Sequence, residues 1–158
     1  MDIYKLLAIT SPFISAGLAG LITYSFSIKG KRFDLLYQSK IPAFKALSVA
    51  LINYKNYCLG RTAFYEGNEF SPYFEEGGGT LDHRSEIAKV VSLNNIYFSH
   101  PTRKAMDDLL GTMSGHCNAE LYLASGRDMG DLGSSYFEMS ESVENCISLL
   151  YKELNFKV

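Results

Sequence analysis

The pattern of apolar and polar positions changes sharply near residue 30. From Leu6 to Ile28 run 23 residues without a charge, LLAITSPFISAGLAGLITYSFSI. At about 1.5 Å per residue a helix of this length reaches roughly 35 Å, enough to cross a hydrocarbon core of about 30 Å. Lys5 stands before the run, Lys29, Lys31 and Arg32 follow it, and Tyr4, Tyr24 and Phe26 lie near its ends. That is the order of cations and aromatic rings expected around a bilayer. A cleaved signal peptide fits less well, because the run continues nine residues past the small-residue site at Gly17-Leu18-Ala19 and Asp2 offsets the one early lysine. The expectation is a retained transmembrane anchor with a basic flank over residues 1–32 and a helical domain over 33–158. Three cations follow the span, so the positive-inside rule places the N-terminus outside and the C-terminal domain in the cytoplasm, at an inner or plasma membrane.

The span has two unlike faces. On a helical wheel Pro12, Ser15, Ala16, Ala19, Gly20, Thr23 and Ser27 fall on one side, and Leu6, Leu7, Phe13, Ile14, Leu18, Leu21, Tyr24 and Ile28 on the other. Small residues let backbones approach closely, which predicts helix–helix packing and a homo-oligomer along the first face.

Beyond residue 32 the apolar positions recur at helical spacing. A second helix is predicted over about Phe33–Leu59, with one stripe of Tyr37, Ile41, Phe44, Leu51 and Cys58 and another of Leu36, Ala43, Leu47, Ala50, Tyr54 and Tyr57. Together they make a wide apolar arc, suited to a central helix or an oligomer interface. Pro42 is expected to kink this helix or start it afresh. Residues 61–81 are punctuated by Gly67, Pro72 and Gly77-Gly78-Gly79, and no Lys-Ser/Thr follows the glycines, so they form no phosphate-binding P-loop. Further helices are predicted near Asp82–Asn94 with Asp82 as cap, Pro101–Ala124, and Ser134–Leu154, while Ile96-Tyr97-Phe98 is too short for a strand. In the last helix Glu138, Glu141, Glu144 and Glu153 are expected to point away from the apolar face. The fold class is therefore all-α: one N-terminal transmembrane helix and a cytoplasmic bundle of about four helices.

Composition narrows the function classes. With 158 residues, 47% apolar, 20% charged and four prolines, the chain suits one ordered domain of ordinary size and is not disordered. The net charge of −2 argues against a protein that coats nucleic acid, and residues 33–158 are more acidic still, with 11 Lys or Arg against 16 Asp or Glu. No nucleic-acid duplex is expected as a partner. Cys58, Cys117 and Cys146 are widely spaced and odd in number, which suits a reducing compartment and no disulfide framework.

Candidate chemistry is sparse. His83, His100, His116 and Cys117 contain no paired-ligand spacing, and adjacent His116 and Cys117 lie about 100° apart on a helix, so no metal or other cofactor is expected. Asp107-Asp108 and Glu75-Glu76 are paired only in sequence, and no nucleophile elbow is present, which argues against an enzyme. Arg84, Arg103, Lys104 and Arg127, with Arg61, fall at predicted helix starts and loops, where cations suit a small anionic ligand. The leading expectation is a membrane-anchored, non-enzymatic interaction or regulatory subunit that self-associates, with lipid and copies of itself or another protein as partners. The alternative is a ligand-gated membrane effector that binds a nucleotide-like anion and perturbs the bilayer. A membrane-tethered enzyme comes third.

Overall fold

The computed structural model describes residues 3–68, 78–126 and 132–154, with the side chains of 3–14, 32, 35 and 36 outside that description. The helices are α1 (Ile3–Tyr65), α2 (Thr80–Asn94), α3 (His100–Ala124) and α4 (Leu132–Leu154), with a single 3₁₀ turn at Asn95–Tyr97 between α2 and α3. The chain divides into two units, Met1–Ile41 and Pro42–Val158. Among the described residues there is no strand, and the fold is all-α.

The 63-residue α1 departs from the two helices expected in its place. Its helical assignment runs through Pro42, where a kink or a fresh start was expected. Proline leaves the carbonyl four residues back without a donor, but Gln38 and Pro42 are both exposed, so water can supply it. At the other end α1 continues six residues past Leu59. Thr62 Oγ1 donates to the Cys58 carbonyl at 3.0 Å and to the Gly133 carbonyl at 3.3 Å, pinning this last stretch to α4. The helix then stops at Gly67, whose φ of 81° needs a residue without a side chain and whose N–H donates back to the Phe64 carbonyl.

In the unit Pro42–Val158 the wide arc of α1 is covered by the rest of the same chain. Phe44, Leu47, Leu51, Tyr54 and Cys58 are each wholly buried, and Ala43, Ala50 and Tyr57 nearly so. Phe44 meets Phe98 edge-on at 5.2 Å, Tyr54 and Tyr57 flank His83 of α2, and Tyr57 meets Tyr136 of α4. The arc is thus that of a central helix. Ile87 of α2, Met106 and Met113 of α3, and Met139, Val143 and Leu150 of α4 complete the core. Ile96-Tyr97-Phe98 forms no strand: it lies in and after the 3₁₀ turn, with Phe98 buried and Ile96 exposed.

In the unit Met1–Ile41 the side chains of Ser15 to Ser27 are all exposed, including Leu18, Leu21, Ile22, Tyr24 and Phe26. Of the small-residue face, Ser15, Ala16, Ala19, Gly20, Thr23 and Ser27 are exposed, and the Pro12 side chain lies outside the described residues. Among the described residues no helix is long and apolar enough to cross a membrane. The Leu6–Ile14 part of the uncharged run contributes only its backbone to that description.

Candidate functional site

Two carboxylates on the inner faces of helices organise the polar interior, and neither was picked out as a site from sequence. Glu120 lies on α3 seven residues after buried Met113, in line with the apolar stripe, so it faces the start of α2. Thr80, the first residue of α2, donates its hydroxyl to Glu120 Oε1 at 2.6 Å and its N–H to Oε2 at 3.1 Å. Tyr57 of α1 donates to the same Oε1 at 3.0 Å, and Tyr136 of α4 at 2.5 Å. One carboxylate therefore joins all four helices and neutralises an N–H at the α2 terminus, where a negative charge is favoured by the helix dipole. Asp82, expected as the cap, instead accepts the Gly79 N–H at 3.1 Å from inside the first turn.

The second carboxylate repeats the device. Glu153 lies seven residues after Cys146 on α4 and is turned inward, contrary to the expectation that it points away. It accepts the Ser99 N–H at 3.0 Å, the Ser99 hydroxyl at 2.8 Å and the Thr102 hydroxyl at 2.5 Å, and so caps α3. In both cases the sequence signal was a glutamate at i+7 on an otherwise apolar stripe. Glu138, Glu141 and Glu144 are exposed as expected, with Glu144 accepting from Lys55 at 2.8 Å.

Burial and the Glu120 charge push the Tyr57 hydroxyl up to about 12, and burial with the Glu120 hydrogen bond raises that of Tyr136 further. Both stay protonated at neutral pH and act as donors that hold α2 in place. Wholly buried Tyr54 is likewise kept neutral by burial. Burial pushes the Cys58 thiol up to about 12 and that of Cys146 up to about 11, and Cys117 is raised in the same way.

The histidines are dispersed. His83 lies against the rings of Tyr54 and Tyr57, His116 contacts Ser135 Oγ at 3.2 Å and the Tyr136 ring, and His100 opens α3. Among the described residues no group of three metal-ligating side chains is assembled.

Among the described residues the candidate cations do not share one cavity. Arg84 donates Nε to Ser114 Oγ at 2.8 Å and to the Leu110 carbonyl at 3.2 Å, tying α2 to α3. It lines a cavity of about 580 Å³ together with Leu81, Cys117, Glu120, Leu121 and Ala124, so that one carboxylate balances its charge there. Arg103 and Lys104 line a different groove, of about 460 Å³, nearer the start of α3. Arg61 rests against the rings of Phe64, Tyr65 and Tyr136 and donates to the Tyr65 hydroxyl at 3.2 Å. Arg127 lies outside the described residues. Comparison of the chain with protein-family models, with curated proteins and with solved structures finds no match.

Proposed function

We propose that this chain is a single-pass membrane protein whose helical domain serves as a non-enzymatic interaction or regulatory module and which assembles with copies of itself through its span. The observation that carries this reading is the exposed apolar surface of α1 from Ser15 to Ser27. Leu18, Leu21, Ile22, Tyr24 and Phe26 there are 56–71% exposed. Removing a large apolar side chain from water is worth about 1.5–3 kcal/mol, so an uncovered row of them calls for a lipid or protein environment. The uncharged run has the length of a hydrocarbon core, and it is followed at once by Lys29, Lys31 and Arg32. The small face supports self-association: a Cβ added at Gly20 would meet nothing, so a second helix has room to approach. The reading keeps the N-terminus outside and the domain in the cytoplasm, on the balance of flanking cations.

The mass of the full-length protein in detergent, with disulfide cross-linking of Ala16→Cys and Gly20→Cys against the wild-type background, tests the assembly. An oligomer with cross-links at both positions is expected. A monomer that does not cross-link at either position contradicts it.

A further inference from the structure

The groove at the start of α3 has a construction that the larger cavity lacks. Ala88, Val91 and Ser92 of α2 and Asn95, which opens the following 3₁₀ turn, stand at i, i+3, i+4 and i+7, and on α3 His100, Arg103, Lys104 and Asp107 do the same. Each set occupies one helix face. The α2 face is short-chained, which leaves a space of about 460 Å³, and the α3 face edges that space with long cationic side chains. Lys104 and His100 are exposed, and Arg103 is partly buried.

Arg103 is the unusual member. Its Nε is buried and has no hydrogen-bond partner among the described residues. Arg84, by contrast, places its Nε on two acceptors. A buried donor left unpaired is costly, and more so on a charged group, so an orphaned guanidinium N–H beside an open groove calls for an acceptor from outside the chain.

We propose that this groove binds a phosphate group, with Arg103 and Lys104 as its principal ligands and Ser92 and Asn95 as neutral donors. A carboxylate offers two oxygens to a donor fork, whereas a phosphate monoester offers three, which suits the convergence of a guanidinium, an ammonium, a hydroxyl and an amide. Arg103 and Lys104 outweigh Asp107 by one charge. Asp107 would then accept a hydroxyl or amine of the body that carries the phosphate. The volume lies within the range of small-ligand sites. The same chemistry is presented by a free phosphorylated metabolite and by a phosphomonoester lipid headgroup. The proposal does not depend on the membrane reading.

The test uses the full-length protein in phosphatidylcholine nanodiscs, titrated with inorganic pyrophosphate by calorimetry, with potassium chloride at matched ionic strength as control. Saturable binding is expected for wild type and for Arg84→Gln, with a loss of ~10-fold or more in Arg103→Gln, the scale of a charge-assisted hydrogen bond. Lys104→Gln alters an exposed side chain, so its folding is secure, and it should weaken binding several-fold. In a second arm, nanodiscs containing phosphatidate replace the free anion, and thermal unfolding of the wild type is compared with Lys104→Gln. Binding of pyrophosphate assigns a soluble ligand; stabilisation by phosphatidate alone, lost in Lys104→Gln, assigns the headgroup. Absence of both effects, or equal effects in wild type and both variants, overturns the proposal.

Discussion

The two ends of α1 share a helix and an apolar composition, and they differ in what covers them. From Ala43 to Cys58 the apolar stripe is buried by α2, α4 and Phe98, and polar residues such as Lys45 and Lys55 occupy the other faces. From Ser15 to Ser27 no charge interrupts the helix, and every side chain is exposed. The apolar stripe of an amphipathic helix finds its partners within the core of its own unit, whereas Leu18, Leu21, Ile22, Tyr24 and Phe26 at the other end stay exposed. The contrast teaches that hydrophobicity alone does not say where a residue goes. Its arrangement around the helix does.

The sharpest way to break the comparison is to disable the polar lock of the packed end. Glu120→Ala leaves the Tyr57, Tyr136 and Thr80 donors without their shared acceptor. It should lower the unfolding free energy of the domain by about 3–5 kcal/mol, since it unpairs several buried groups at once. Denaturant unfolding of the full-length protein in detergent, followed by helical circular dichroism, measures it. Glu120→Gln, which keeps one acceptor oxygen, should retain part of the stability.

A paired substitution compares the two ends directly. Leu47 is wholly buried and Leu21 is 66% exposed. Leu47→Ala should cost about 2–5 kcal/mol through lost burial and the cavity it leaves, whereas Leu21→Ala should leave unfolding of the domain unchanged. Equal losses in the same denaturant experiment would remove the distinction between the ends.

The cap on α3 gives a smaller effect. Glu153→Ala should cost about 1–3 kcal/mol, because the Ser99 N–H and two hydroxyls lose their acceptor near the domain surface. Hydrogen exchange should locate the loosening in the first turn of α3.

The smallest effect concerns pH. Burial lowers the pKa of His116 below its ordinary 6.5, against the opposing pull of Glu120 and Glu138. The folded state thus favours the neutral ring. Its contribution is fully present above pH 6.5 and is lost as the pH falls through the folded value. His116→Gln should flatten that acid limb in thermal unfolding curves without changing stability near neutral pH.

Much of the helical plan was legible because its apolar positions recur every three or four residues. Met106, Leu109 and Met113 of α3 and Met139, Val143 and Leu150 of α4 lie buried at such spacing, whereas Leu121, in the same α3 series, is exposed. The continuity of α1 was not, because a proline's effect depends on whether water can reach the carbonyl it deprives, and spacing does not record that. The roles of Glu120 and Glu153 were hidden for a different reason. A glutamate in an apolar stripe signals an unusual position, but its partners, Thr80 and Ser99, belong to other helices. The separation of Arg84 from Arg103 and Lys104 into two cavities was hidden for the same reason. Arg84 and Arg103 look equivalent along the chain, and only tertiary packing gives the Arg84 Nε its two acceptors and the Arg103 Nε none among the described residues.

The most direct test of the central claim is whether the exposed end of α1 holds the full-length chain in a bilayer. Membranes containing the protein would be washed with alkaline carbonate, which strips peripheral proteins. The wild type should remain in the membrane pellet, and Leu18→Arg/Leu21→Arg, which adds two charges to the span, should be released. Release of the wild type into the supernatant would contradict the account.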